Sequence, residues 1–504
     1  VDDEIEKAIH NYDDRPVKAK STQKVFKNQQ EMRTVLRDEV EVWQLSHQTD
    51  KQAETNIKPK LPPLAGARIM FRHFDFCLFS HDESERMAVY LPNDGIYTQN
   101  YRYLKRLIAL MYPSYNLRQA LDVIYHLEMM APVRALTIDR YLVPVNNGIW
   151  NLHQHQLIPF SPKYVFTTKI ATNYRDNATA PNIKGWTIDN WFDELACGDN
   201  EIVRLLWEVI NDCLNGNYTR KKAIFLFSEL GNSGKGSFQE LITNLVGMDN
   251  VGTLKVNEFD VRFRLAGLVG KTVCIGDDIA PDIYIKDSSN FNSVVTGDLV
   301  NIEFKGQDGY TSALRCTIVQ SCNGLPNFHN KGGTMRRLVI VPFNNHFQGK
   351  GDNWSIRNDY ITRKDVLEYV LYKALQLDFD KFSVPEVSKK ALADFELDNN
   401  PLIGFKVSFF DKLKVDKVPT YYLYEYYKKY CSINGLKALG QNKFIRRFLT
   451  VAPNYEKKPA KLSNLEIQQV KNVNMQDELI VFTRLPELGK TYNCLIKTKN
   501  IKVS

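Results

Sequence analysis

The chain reads as an α/β protein with a basic module behind it, and three observations predict this. Between about 188 and 347, short apolar strands alternate with helical stretches, the pattern of a sheet crossed by helices. Within that alternation, FLFSELGNSGKGSFQEL (residues 225–241) runs from an apolar strand through a Gly-rich turn into a helix. Charge then changes: residues 401–504 hold 19 Lys and Arg against 8 Asp and Glu, whereas the whole chain holds 66 against 58. A basic module on a near-neutral body is the footprint of a phosphate-backbone binder, the plainer reading being a solvated surface.

At 504 residues the chain is too long for one core and suggests two to four domains. With 43% hydrophobic and 25% charged residues it has the composition of a soluble globular protein. No run reaches the roughly 18 to 20 apolar residues that cross a bilayer, and no signal-peptide pattern is present, so the expectation is a cytosolic protein without a membrane partner. The chain opens with Val1 and acids, which reads as a fragment or an unusual start codon. Eight scattered Cys without a CxxC pair read as reduced, mostly buried thiols. His153 and His155 have no acidic or Cys partner nearby and read as a solvated turn rather than a zinc site.

The elements follow in order. Residues 1–60 are polar; QKVFKNQQEMRTVLRDEVEVWQL has the spacing of an amphipathic helix, and Pro62-Pro63 reads as a linker. Residues 61–187 read as a mixed α/β domain, with strands expected in RIMFRHFDFCLF and MAVYLP and helices in YRYLKRLIALMY and LRQALDVIYHLEMM. The core domain spans 188–385. There WFDELACGDNEIVRLLWEVINDCL is expected to be helical, followed by a strand over 223–227, a helix from Gly236, and strands in TVCIG, RCTIVQSC and LVIVPF. Residues 390–504 are rich in Lys and Tyr, with helical patterns in TYYLYEYYKKYCSING and NKFIRRFL. No internal repeat or low-complexity tract stands out.

Chemistry concentrates in four places. Gly231, Asn232, Ser233, Gly234, Lys235, Gly236 and Ser237 form a turn whose glycines free backbone N–H groups to face phosphate oxygens, with Lys235 placed to reach them. KTVCIGDDI ends an apolar strand in Asp277-Asp278, two carboxylates that suit a Mg²⁺ shell and an attacking water, although plain turns carry such pairs too. Asn323 closes CTIVQSCN and could hold a terminal phosphate or its water; before Gly324 it could equally serve a turn. Arg336 and Arg337 precede a strand, where a guanidinium could serve a neighbouring subunit's phosphoryl group or be plain surface charge.

In this order the four resemble the superfamily 3 helicases, a branch of the AAA+ ATPases. Residues 140–347, including NNGIWNLHQHQLIPFSPKYVFTTKIATNYRDNATAP, LLWEVINDCLNGNYTRKKAIFLF, SNFNSVVTGDLVNIEFKG and RRLVIVPF, are similar to the phage, plasmid and poxvirus primase–helicase family. The resemblance implies an AAA+ P-loop core, ATP and Mg²⁺, and a homo-hexamer. It assigns Lys235 to ATP phosphates, Asp277 and Asp278 to Mg²⁺ and catalytic water, Asn323 to sensing, and Arg337, with Arg336 second, to a trans-acting finger. It also makes NIEFKGQDGY a hairpin in a central channel, with Lys305 gripping DNA. Three positions depart from the family's loop: Glu229 replaces a Gly, Ser233 an Asn, and Gly236 removes a hydroxyl that Ser237 could supply to Mg²⁺.

The C-terminal module resembles the winged-helix region of these proteins. It places Lys443, Arg446 and Arg447 on a DNA-reading helix, while some of Tyr421, Tyr422, Tyr426 and Tyr427 pack the module. The N-terminal region shows no polymerase carboxylates or zinc-ribbon Cys, so no primase activity is expected on this chain. The expectation is therefore an ATP-driven ring helicase in replication initiation of a phage or mobile element. Its partners would be single-stranded and duplex DNA, with room for a separate primase or origin-associated protein. An origin-binding initiator that does not unwind, and a non-catalytic interaction protein, are the rival readings.

Overall fold

The computed structural model describes residues 26–498 except 27, 56, 83–84, 230, 281–282, 306–308, 329–330, 349–352, 414 and 477–483. The N-terminal unit packs four helices, α1 (Gln29–Ser46), α2 (Pro63–His73), α3 (Tyr101–Met111) and α4 (Leu117–Met130), with a small antiparallel sheet. Its strands are β1 (Phe76–Cys77), β2 (Ala88–Leu91) and β3 (Ile96–Thr98). The amphipathic helix expected over 23–45 is α1; residues 23–25 and 27 lie outside the described residues.

Two expectations are corrected here. Pro62-Pro63 is not a linker: Pro62 caps α2 and Pro63 opens its first turn, where a missing N–H costs nothing. RIMFRHFDFCLF is not a strand either, because residues 68–73 finish α2 and only Phe76–Cys77 pairs in a sheet. The buried residues Gly66, Ala67, Ile69 and Met70 share one helical face, and that spacing outweighs the β-propensity of Ile69 and Phe71.

Three antiparallel strands follow: β4 (Leu142–Val145), β5 (Gly148–Asn151) and β6 (Gln156–Ile158). Val143, Val145 and Trp150 belong to the core of the central unit. His153 stacks on Tyr141 with ring centroids 3.5 Å apart. The stretch 191–214, expected as continuous helix, is broken into α5 (Ile188–Leu195) and α6 (Asn200–Cys213). Cys197 (φ 53°) and Gly198 (φ 79°) reverse the backbone, and Asp199 caps α6 by accepting from the N–H groups of Glu201 and Ile202. All eight cysteines are free, and Cys197 is the one that is exposed.

The central sheet comprises β7 (Ala223–Phe227), β8 (Val251–Thr253), β9 (Val273–Ile279), β12 (Thr317–Cys322) and β13 (Leu338–Pro342). Its order is β13-β7-β12-β9-β8 with every pairing parallel. Side chains alternate between two cores: Ile224, Leu226, Val319 and Val339 face one, and Ala223, Phe225, Ile318 and Leu338 face the other. Helix α7 (Lys235–Val246) follows β7, and α8 (Ser289–Thr296) leads into an antiparallel hairpin of β10 (Leu299–Ile302) and β11 (Tyr310–Ala313). Helix α9 (Lys364–Leu375) packs into the same core as α6.

Helix α10 (Glu386–Asn399) lies against β13 and leads into the C-terminal module. That module runs α11 (Pro401–Ser408), β14 (Lys417–Pro419), α12 (Thr420–Ile433), α13 (Gln441–Val451), β15 (Tyr455–Lys461), α14 (Asn464–Gln476) and β16 (Thr491–Lys497). Its antiparallel sheet has the order β14-β16-β15. Tyr422, Tyr426 and Tyr427 are buried in its core, with Tyr421 packed partly against it. Among the described residues no helix is long and apolar enough to cross a membrane.

Candidate nucleotide-binding site

Because the central strands are all parallel, their C-terminal ends share one edge, where α/β sheets offer a crevice for ligands. Here that edge holds a cavity of about 240 Å³ lined by the loop 231–237, Asp277, Asp278, Asn323 and Arg357. The loop takes its shape from Asn232 (φ 56°) and Gly234 (φ 88°), the latter capping α7. A Cβ at position 234 would lie 2.4 Å from Leu195 Cδ2, so glycine is required there. The N–H groups of the first turn of α7 are thereby free for an anion. A strap after β13 braces the loop: Phe347 N–H donates to the Asn232 carbonyl (2.9 Å), and Asn232 Nδ2 donates to the Phe347 carbonyl (2.5 Å).

Lys235 is 9% exposed and donates from Nζ to Asn323 Oδ1 (2.9 Å) and Ser233 Oγ (3.2 Å). Burial holds its ammonium below the ordinary lysine range, opposed by Cys322, Asp277 and Asp278. A desolvated cation with only neutral hydrogen-bond acceptors, facing a cavity, suits an anionic ligand. Across the cavity Ser321, on β12, fixes both acids: its hydroxyl donates to Asp277 Oδ1 (2.6 Å) and accepts from the Asp278 N–H (2.9 Å). Asp278 takes a left-handed turn (φ 50°), and Lys255 Nζ donates to its carbonyl at 3.0 Å. Ser237 and Asp277 thus offer a hydroxyl and a carboxylate to one cavity, a donor set that fits Mg²⁺.

Glu229 is exposed and does not line this cavity; it faces a neighbouring one of about 550 Å³ together with Asn323 and with Lys390 and Asp394 of α10. At Gly236 an added Cβ would meet nothing within 4 Å. Arg336 and Arg337 stand before β13, at the opposite end of the sheet, five residues or roughly 16 Å of strand from the phosphate loop. Arg336 is exposed. Arg337 donates from Nη1 to the Gly333 carbonyl, while its Nε is buried without a partner. Burial and the neighbouring Arg336 lower the pKa of Arg337, against the pull of Asp298.

Lys305 is exposed in the turn of the β10–β11 hairpin. Beside the hairpin, Arg262 Nε donates to Glu303 Oε2 (2.7 Å), and Phe263 (φ 68°) is 42% exposed with the Arg262 guanidinium over its ring. Sequence reasoning missed this loop, although Arg-Phe-Arg at 262–264 was a readable signal. It also missed Ser321 and Arg357, which carry no motif. On α13, Lys443, Arg446 and Arg447 are exposed and share one face by their spacing, while Phe444, Ile445 and Phe448 are buried.

The structures of known proteins include an A-form apo structure of the NrS-1 C terminal region, 12% identical over 87% of this chain and 100% of that one, with a TM-score of 0.49. A second apo structure of the same region matches with identical values. Among families, residues 18–192 match the D5 N terminal like family, 226–337 a family of unknown function (DUF5906), and 397–481 the Poxvirus D5 protein-like family. The two D5 matches, one ahead of the Gly-rich loop and one behind it, together take in just over half of the residues. The chain belongs to the phage and poxvirus D5-like primase–helicase family.

Proposed function

We propose that the protein is an ATP-dependent DNA helicase, assembled as a ring and acting in replication initiation of a phage or other mobile element. One observation carries this reading: a buried lysine, two carboxylates and an asparagine converge on one cavity at the C-terminal edge of a parallel sheet. The strand order β13-β7-β12-β9-β8 supports an AAA+ core, with the phosphate-loop strand flanked by the strands carrying Asn323 and following Arg337. In the C-terminal module, two helices (α12 and α13) packed on the three-stranded sheet β14-β16-β15 support a winged helix with α13 as the DNA-facing helix and α14 inserted between the last two strands.

Loop amides and the start of α7 hold the phosphates, and Lys235 exchanges Asn323 for a phosphate oxygen. Asn323, released, orients water at the terminal phosphate, and Asp278, its backbone fixed by Ser321, polarises that water. Ser237 and Asp277 would hold Mg²⁺, which when bound supplies positive charge to the phosphate oxygens. Arg337 lies too far along the sheet to act in its own subunit, which supports its service to a neighbour across a ring, a homo-hexamer by the family resemblance. Lys305, joined by Arg262 and Phe263, forms a basic and aromatic rim suited to a DNA strand. A separate primase or origin-associated protein would complete the replication machinery.

The test is ATP-driven strand displacement on a forked duplex by the full chain. Wild type displaces the strand; Lys235→Ala and Arg337→Ala do not, and mixing the two variants restores some ATPase because each supplies what the other lacks. Full displacement by Lys235→Ala would refute the reading. DNA-stimulated ATPase without displacement by wild type would favour the initiator alternative.

A further inference from the structure

Arg357 is the one guanidinium among the described residues lining the phosphate cavity, and it reaches that cavity from the same chain as Lys235. It sits on the short helical turn Trp354–Asn358. That segment is pinned: Ile356, Tyr360 and Ile361 are buried, and the Ile361 carbonyl accepts from Asn244 Nδ2 of α7 at 3.3 Å. The backbone under Arg357 is therefore fixed to the helix that starts at the phosphate loop.

Its side chain is held only loosely. Nη2 lies 3.6 Å from Glu240 Oε2 on α7, beyond hydrogen-bond range, and the arginine side chain is 54% exposed. A pair of this kind contributes little and is easily exchanged. A nucleoside triphosphate brings more negative charge than one divalent cation and one lysine neutralise, and the terminal phosphate carries the largest share. A planar guanidinium at the cavity pairs better with those oxygens than with the single Glu240 carboxylate 3.6 Å away.

We propose that Arg357 is a cis-acting phosphate contact that leaves Glu240 for the terminal phosphate of a bound nucleoside triphosphate, and so lets the site distinguish triphosphate from diphosphate. The proposal rests on the nucleotide-binding reading above. Glu240 and the terminal phosphate compete for one side chain, so the preference for triphosphate is the difference between the two partners. Glu240 thereby tunes affinity without touching nucleotide.

The experiment is calorimetric titration of the full chain with ATPγS and with ADP, each in Mg²⁺. Arg357→Ala weakens ATPγS binding about tenfold and leaves ADP within about twofold, as expected for loss of one charged contact to a phosphate that only ATPγS has. Arg357→Lys recovers part of the loss, because charge returns without the planar fork. Glu240→Gln moves the other way, tightening ATPγS about two- to threefold with ADP unchanged, since the competing carboxylate is gone. A purely structural ion pair predicts instead that Glu240→Gln and Arg357→Ala act alike and weaken both nucleotides together. That outcome, or an unchanged preference in Arg357→Ala, overturns the proposal. Lys235→Ala separates the two levels: if it leaves both affinities intact, the nucleotide reading itself fails and the proposal falls with it.

Discussion

Gly276 precedes Asp277 and Asp278 on β9, and replacing it with alanine should unseat a buried glutamine. Gln320, fully buried on the adjacent β12, crosses over Gly276 to bind the next segment of chain. Its Oε1 accepts from the Val256 N–H at 2.9 Å, and its Nε2 donates to the Leu254 carbonyl at 3.1 Å. A Cβ on residue 276 would lie 2.2 Å from Gln320 Oε1 and 2.6 Å from its Cδ and Nε2, so the side chain must leave. Two buried backbone groups then lose a partner, at about 1–3 kcal/mol each, which puts the loss near 3 kcal/mol. For a domain of this size that is a fall in Tm of roughly 6–12 °C. ATPase activity falls as well, because Asp277 moves with its neighbour. The assay is scanning calorimetry of four proteins: wild type, Gly276→Ala, Gln320→Ala and the double variant. If displacement of Gln320 is the cause, Gly276→Ala adds almost nothing in the Gln320→Ala background, a coupling of about 2–3 kcal/mol. Additive losses would refute the reasoning.

Lys235→Met should raise the Tm of the nucleotide-free protein by a few degrees, the effect of roughly 1 kcal/mol in a domain this large, while abolishing stabilisation by ATP. Burial lowers the lysine's folded pKa, so the penalty is present at neutral pH and fades as pH rises through that folded value; the gap between variant and wild type should therefore narrow in alkali, and a widening gap would contradict it. Ser237→Ala should raise the Mg²⁺ requirement of ATPase about tenfold, and Gly236→Thr should offset part of it because an added Cβ there meets open space; a metal titration reads both. Replacing Lys443, Arg446 and Arg447 together by alanine should weaken duplex binding and flatten its log–log salt dependence by about 2 to 3, read by anisotropy between 50 and 200 mM salt. An unchanged slope would remove α13 from the interface.

Much of this was legible because short strands buried on both faces are written as apolar runs bounded by turns. The strands holding Ala223, Val273, Thr317 and Leu338 stand where AIFLF, TVCIG, RCTIVQSC and LVIVPF place them, and the loop, the acids and Asn323 sit at their ends. α2 was misread because Ile69, Met70 and Phe71 suit strand and helix equally, and the deciding spacing includes Gly66 and Ala67, which carry little hydrophobic signal. The break at Cys197 and Gly198 was missed inside a run that is otherwise helical on both sides. Arg357 was invisible because more than a hundred residues separate it from Lys235, and only the return of the chain past β13 onto α7 brings the two together. Glu229 stands where the family's loop carries a Gly; that it lines the neighbouring cavity beside α10, and not the one at the Gly-rich loop, is a tertiary fact that no local spelling holds.

The turn between α5 and α6 has a practical side. Seven of the eight thiols are buried, and burial pushes the one beside the cavity, Cys322, up to about 12, leaving it inert near neutral pH. Cys197 alone is presented to solvent, two residues beyond the Leu195 that packs over Gly234. A maleimide fluorophore added to the native protein should therefore settle at one position per chain, with no engineering of the sequence. That position is joined through Leu195 to the phosphate loop, and the adjoining Glu194 carbonyl accepts a bond from Asn345 in the strap that braces it. The molecule thus comes with a built-in reporter, whose brightness would follow the loop as ATP is added and removed.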